Sequence, residues 1–348
     1  MKTIPQNEAS AMRSATINDI ARDAGVSSVT VSRVLNTPDL VKPDTRHRVE
    51  QSMRKLGYTP NLAARAMRTR ATHTVGFLVP DILSYANAAV AQAAERSLAA
   101  EGYGMILVSS DYNRDRELRA LEMLRTHRVD GCIIYPCDET DDRVLEAVRH
   151  LGIPCVALDR NFSDLTDTVL SNHADAMRDA VRYLIDLGHT SIALLLADLQ
   201  VRPSFERRQA FEAVIDAAKL PRQRQKIVLV HPDELQRYQA DELFEEDTVP
   251  TAVIVEGSRL LRSVVASIRQ RNRRVPEDVS LVGLDVDDVA TTMTPELTRV
   301  SRNYSDIGRV AVELMVQRIR SRSASRQSVI LESTVLLKGS CAPGPQRQ

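Results

Sequence analysis

The chain carries none of the short motifs that mark the common enzyme classes. It has no G-x4-G-K-[ST] phosphate loop, no G-x-S-x-G nucleophile elbow, no H-E-x-x-H pair and no dinucleotide-binding glycine fingerprint. Its seven His are scattered: His47 falls on an expected helix, and His189 follows the helix-ending Gly188. Its four Cys, at 132, 137, 155 and 341, show no metal or redox spacing. Three of them lie in or beside apolar runs and read as buried thiols of a reducing compartment. No apolar run approaches membrane-spanning length, and MKTIPQNEASAMRS lacks the apolar core of an export signal. These absences set aside an enzyme, a metal or cofactor site, a membrane protein and an exported solute-binding protein. The expected location is the cytoplasm.

What is present is an uneven charge. The net charge is zero, yet residues 13–70 hold 11 Lys/Arg against 5 Asp/Glu, while residues 71–348 hold 34 against 40. A basic head on an acidic body suits contact with a polyanion, although ordinary surface patchiness produces the same count. The length of 348 residues predicts two or three domains.

In the head, TINDIARDA places Ile17, Ile20, Ala21 and Ala24 at helical spacing, with Thr16 and Asp19 in capping-box positions and Gly25 as the stop. Ser27 caps a second helix whose apolar face is Val31, Val34 and Leu35. A third helix starts at Pro43 and ends at Gly57. Two short helices across a Gly turn fit a helix-turn-helix. The second offers Ser28, Val29, Thr30, Ser32 and Arg33 outward: a slim helix end, hydroxyls for phosphate oxygens, a methyl surface for thymine and a guanidinium able to fork onto guanine. On pattern alone, a three-helix module for protein contacts remains open.

From residue 74 the runs TVGFLV, GMILVS, GCIIY, CVALD, SIALLL, KIVLV, TAVIV and VSLVGL alternate with amphipathic stretches. Repeated βα units imply parallel sheets covered on both faces. Ligands of such sheets sit beyond the carboxyl ends of the strands. Those ends carry Asp81, Ser109, Ser110, Asp111, Asp159, Arg160, Glu256 and Asp285, any of which could equally cap the next helix.

The segment TINDIARDAGVSSVTVSRVLN and the stretch LGYTPNLAARAMR resemble the lactose-repressor (LacI/GalR) family of bacterial transcription regulators. Further landmarks continue through the chain: TVGFLVPDI, RVDGCII, LDR, DLGHTSIALL, VPEDVSLVGLD and PELTRV. The resemblance implies an α/β protein with a helix-turn-helix head, a hinge helix and a two-lobed body like a periplasmic binding protein. The expected divisions are a tail at 1–14, the head at 15–58, the hinge at 59–72, the body at 73–341 and a tail at 342–348. Crossovers near 172, 302 and 322 would put 73–172 and 303–321 in one lobe, and 173–302 and 322–341 in the other.

The same resemblance implies a repressor acting as a homodimer, or a higher oligomer, on pseudo-palindromic double-stranded operator DNA. Ser28, Val29 and Arg33 are expected to read bases. Thr30, Ser32, Asn36 and Asn61 are expected on phosphates, with Thr16, Ser27, Tyr58, Ala64 and Arg65 also on the DNA side. Pro60 starts the hinge helix, Arg68 and Arg70 lie along it, and Met67 occupies the position where the family wedges a Leu into the minor groove.

A small effector is expected between the lobes, held by Asp81, Tyr85, Arg160, Asn172, Arg207, Glu256 and Asp285. Arg207 matches the family's effector-binding Arg. Elsewhere the cleft departs from the family: Ala86 and Asn87 stand at Phe-like positions, and Gly257-Ser258 replaces Asn-Asp. Arg160, Arg202 and Arg207 would favour an acidic ligand such as a sugar acid or sugar phosphate. Asp81, Glu256 and Asp285 could instead neutralise them, and a vacant cleft is a third possibility.

Overall fold

A computed structural model describes residues 15–58, 71–244 and 249–345. The chain forms two compact units, Met1–Arg70 and Ala71–Gln348.

The head holds three helices: α1 (Ile17–Ala24), α2 (Ser28–Asn36) and α3 (Pro43–Lys55). Thr16 and Asp19 form a reciprocal capping box at the start of α1. Gly25 ends it in the left-handed region, at φ 63°, and the Val26 amide closes the turn onto the Ala21 carbonyl at 3.0 Å. The Ser27 hydroxyl accepts from the Thr30 amide at 3.1 Å and so starts α2. Ile20, Ala21 and Ala24 pack against Val31, Val34 and Val49. Ser52 and Lys55 of α3 both reach Asp23 of α1, at 2.8 and 2.6 Å. These contacts turn one face of α2 inward and leave Val29 60% exposed on the other.

The body builds its first sheet from β1 (Thr74–Val79), β2 (Gly104–Ser109), β3 (Gly131–Ile134), β4 (Cys155–Leu158) and β5 (Asp167–Ser171). Between them lie α4 (Tyr85–Ala100), α5 (Arg114–Thr126) and α6 (Asp142–Arg149). The second lobe runs α7 (His173–Asp186), β6 (Ile192–Ala197), α8 (Arg202–Ala217), β7 (Lys226–Val230), β8 (Ala252–Glu256), α9 (Gly257–Gln270), β9 (Ser280–Leu284), α10 (Asp287–Ala290) and β10 (Thr298–Arg302). The chain then gives α11 (Tyr304–Arg320), β11 (Ser328–Leu331) and β12 (Ser333–Leu336).

The strand orders are β11-β5-β4-β3-β1-β2 and β12-β10-β9-β8-β6-β7. Every pairing is parallel except that of β12 with β10. The near-continuous apolar runs follow from this: strands covered by helices on both faces have no solvent side to make polar.

The chain passes between sheets at Asn172, at Asn303 and at Glu332. The third passage therefore falls ten residues beyond the expected position near 322, because β11 joins the first sheet before the chain leaves it. The second tail also needs correction over residues 342–345. Ala342 donates to the Ser280 hydroxyl at 3.0 Å and accepts from His189, while the Gly344 amide reaches the Leu187 carbonyl at 2.7 Å.

Helix α11 returns to the first lobe and packs on α4, with Ile307 and Ala311 against Val90, Ala94 and Leu98. Contact is closest at Gly308. A Cβ there would lie 2.7 Å from both the Ala93 Cβ and the Val90 carbonyl oxygen, and 2.8 Å from the Ala94 nitrogen. Backbone atoms cannot yield as a flexible side chain can, so overpacking should part the helices. Gly308→Ala is expected to cost the body about 1–3 kcal/mol, seen as a lower urea midpoint at unchanged slope.

Candidate functional site

The carboxyl ends of both sheets meet around a cavity of about 410 Å³ within the body. Asp159 follows β4 and Asp285 follows β9, each in the left-handed backbone region at φ 50° and 55°. Aspartate tolerates that region better than most residues. Both carboxylates meet buried guanidinium groups. Arg302, the last residue of β10, donates to Asp159 at 2.6 Å and to Asp285 at 2.8 Å. Arg207 of α8 donates to the other Asp285 oxygen at 2.6 Å and pairs with Glu256 at the end of β8. The second Glu256 oxygen accepts from the Ala197 amide at 2.9 Å.

Burial alone would raise the acids. Asp159 is nevertheless held well below the usual carboxylate range by His173 and Arg302, and Asp285 by Arg207 and Arg302.

His173 sits inside this network. Its Nε2 lies 3.1 Å from Asp159, and an Arg207 N–H faces its Nδ1 at 3.3 Å. A guanidinium only donates, so Nδ1 must be the acceptor and the ring proton sits on Nε2. Burial lowers the His173 pKa to about 4 against the opposing pull of Asp159, so the ring is neutral at pH 7.

Arg160 differs from the other two arginines. It is 4% exposed, donates to the Pro136 and Asp159 carbonyls and lies 5.7 Å above the Tyr135 ring. Among the described residues it has no carboxylate partner within ion-pair distance. Arg202 is spent on Glu206 at 2.7 Å and on the Ser171 carbonyl at 3.0 Å. Tyr85, Tyr112 and Tyr135 add aromatic walls, with Tyr85 set edge-on to Tyr304 at 5.6 Å.

Of the residues expected at an effector site, Tyr85, Arg160, Arg207, Glu256 and Asp285 line the cavity. Asp81 and Asn172 are not among its lining residues. One Asp81 oxygen accepts from the Leu83 amide at 2.8 Å and the other meets Arg259. Asn172 accepts from the Ser333 amide at 2.6 Å and so ties two interlobe passages together. Sequence reasoning missed His173, Arg259 and Arg302. His173 and Arg302 flank the first two passages between lobes, and that position was their only sequence signal. Among the described residues, no group of three or more His, Cys, Asp or Glu could hold a metal ion, and no helix is long and apolar enough to cross a membrane.

In the head, Ser28, Val29 and Arg33 are exposed on α2, and Ser32 is half-buried. Thr16, Ser27 and Thr30 serve as caps or cap partners, with the Ser27 and Thr30 hydroxyls 2.9 Å apart. Tyr58 packs partly against the head core. Asn36 ends α2. Asn61, Ala64, Arg65 and Met67 lie outside the described residues.

A helix-turn-helix unit followed by two parallel-sheet lobes around a polar cleft is the architecture of a ligand-responsive transcription regulator. Residues 16–61 match the model of bacterial regulatory proteins of the lacI family, and residues 181–341 that of a periplasmic binding protein-like domain. The HTH-type transcriptional repressor PurR of Erwinia tasmaniensis is 31% identical over 337 residues, covering 96% of this chain and 98% of that protein. The catabolite control protein A of Priestia megaterium is 32% identical over 321 residues, covering 91% of this chain and 96% of that protein. Among solved structures, the lac repressor dimer bound to operator and the anti-inducer ONPF has a TM-score of 0.81 at 23% identity, covering 95% of this chain and all of that one. The transcriptional regulator CelR in complex with cellobiose has a TM-score of 0.69 at 26% identity, covering 94% of this chain and 99% of that one. The chain belongs to the LacI family of bacterial regulatory proteins. The PurR relatives are transcriptional repressors, not enzymes.

His173 titrates near 4 in the fold, against about 6.5 in an unfolded chain. Between those values the unfolded state binds the extra proton. Its contribution is therefore complete above pH 6.5 and shrinks as pH falls toward 4, by on the order of 3 kcal/mol. Glu117, raised to about 7 by burial, works in the opposite sense over part of this range. The comparison that isolates the histidine is wild type against His173→Asn. The variant is expected to lose less stability between pH 7 and pH 4, as read from urea unfolding.

Proposed function

We propose that this chain is a cytoplasmic, homodimeric repressor that binds a pseudo-palindromic operator, and that a small acidic sugar derivative in the interlobe cleft modulates that binding. The observation that carries the effector class is Arg160, a buried guanidinium on the cavity wall that bonds carbonyls and faces the Tyr135 ring, with no carboxylate within ion-pair distance among the described residues. A buried cation whose neighbouring carboxylates, Asp159 and Glu117, act on it only beyond ion-pair distance gains from a further negative charge in contact with it. A carboxylate or phosphate on the effector would supply that charge. Arg207 and Arg302 are already paired to carboxylates and serve to hold the cleft in shape.

On the DNA side, Ser28, Val29 and Arg33 project from α2 toward the major groove, with Thr30, Ser32, Asn36 and Asn61 on phosphates. Arg65 and Met67 of the hinge complete the interface, with Met67 as the minor-groove wedge. The effector changes how the body holds the two heads, with a coupling on the order of 1–3 kcal/mol. A neutral sugar is the second reading. It is favoured by the pairing of Arg207 and Arg302, and CelR was solved with cellobiose.

Arg33→Ala is expected to weaken specific operator binding by about 1–3 kcal/mol and to narrow the gap to scrambled DNA. Fluorescence anisotropy at fixed salt reads both. Equal losses on operator and scrambled DNA would show that Arg33 contacts phosphate only. In the same assay, a sugar acid or sugar phosphate should shift the operator affinity of wild type while the matching neutral sugar should not. The reverse result would sink the acidic-effector reading.

A further inference from the structure

Among the described residues, an ion pair joins the two lobes away from the buried network at the crossovers. Asp81 stands just after β1 in the first lobe, 6% exposed. Arg259 is the third residue of α9 in the second lobe, and its guanidinium meets the free oxygen of Asp81. Both side chains are largely removed from water, at 17% exposure for Arg259 and 8% for Asp81. Arg259 lines the cavity and Asp81 does not. The Asp81 oxygen that faces Arg259 is buried and makes no hydrogen bond of good geometry among the described residues, so Arg259 covers it as a charge partner. The adjoining residues leave room for this reach. Gly257 opens α9 at φ 73°, and the Ser258 hydroxyl turns to Asp288 at 2.6 Å.

We propose that Arg259 is the residue that sets effector class in this cleft. It occupies the carboxylate of Asp81, which would otherwise accept from sugar hydroxyls, and presents a cation to the cavity in its place. A neutral sugar meets a blocked acceptor. An anionic group instead binds the guanidinium, and Arg259 then serves both the effector and Asp81 across the lobes. Charged groups of the second lobe facing the same space are Arg207, Arg262, Glu256 and Asp288. Asp285 and Arg302 also line it from the second lobe, and from the first lobe the facing charges are Asp159 and Arg160. This assignment rests on the reading of the cleft as an effector site, and it names the residue that discriminates there.

The test uses the full-length protein and two matched pairs of probes: D-glucuronate with D-glucose, and D-glucose 6-phosphate with D-glucose. Titration calorimetry gives the acid-to-neutral affinity ratio for wild type, Arg259→Ala, Arg259→Gln and Arg259→Lys. Removing a charge-assisted contact should lower that ratio about tenfold or more in the Ala and Gln variants. Lys should retain most of it. Thermal melts of the four proteins check folding, and Gln keeps much of the side-chain stem should Ala prove unstable.

A ratio unchanged in both Ala and Gln variants overturns the assignment, as does failure of wild type and variants alike to bind any probe. A wild type that prefers glucose, with the preference still moved by Arg259→Ala, refutes the acidic-effector reading but supports Arg259 as the determinant.

Discussion

Two guanidinium groups shared among three carboxylates hold the body together at its hinge. Arg302 joins Asp159 of the first lobe to Asp285 of the second, and Arg207 joins Asp285 to Glu256. None of these charges could remain where it is without the others, because an unpaired buried ion costs several kcal/mol even after relaxation. The network therefore imposes its geometry on the surroundings. It links the left-handed turns after β4 and β9 and the strand ends that enclose the cavity, beside a His173 that burial keeps neutral. Arg160 stands beside this group of two cations and three carboxylates, and its charge acts on Asp159 without forming an ion pair. Arg160 and Arg259 are thus cavity-lining cations that the network does not use.

The parts of the fold that were legible in the sequence are those specified locally. Thr16, Asp19, Gly25 and Ser27 define the first two helices through contacts within a few residues, and the structure forms those same caps. Strands β1, β3, β4, β6, β8 and β9 announce themselves as apolar runs because helices cover both faces, and the edge strands β2 and β7 read as apolar although partly exposed. The four remaining strands do not. DTVLS, TRVSR, SVIL and STVL are short and mixed in polarity, and their pairing partners are set by passages between lobes. The misplaced third passage has the same origin. The expected position near 322 falls in SRSASRQ, which is a loop within the first lobe, and the actual passage is hidden between two four-residue strands.

The cleft was legible as a place and as a set of residue types, since strand ends in parallel sheets carry ligand-facing side chains. The partnerships were not. Arg207 finds Glu256 and Asp285 at separations of 49 and 78 residues, and Arg302 finds Asp159 across 143. No local pattern distinguishes a guanidinium that will be consumed by such contacts from one left available. Arg202, Arg207 and Arg160 look alike in sequence, and only the packing separates them. Arg259 directly follows Gly257 and Ser258, but nothing local marks it as a cleft residue, because its partner Asp81 lies on the other lobe.

Glu332 is the whole of the third connection: β11 ends at Leu331 and β12 begins at Ser333. Each strand is hydrogen-bonded into the edge of its own sheet, so neither can pay out chain without unzipping. A tether one residue long gives the lobes a pivot rather than a sliding joint. With Asn172 bound to the Ser333 amide beside it, the cheap motion is rotation about an axis passing near these residues, and displacement grows with distance from them. A small change in opening angle at the hinge thus becomes a larger translation at the far ends of the lobes.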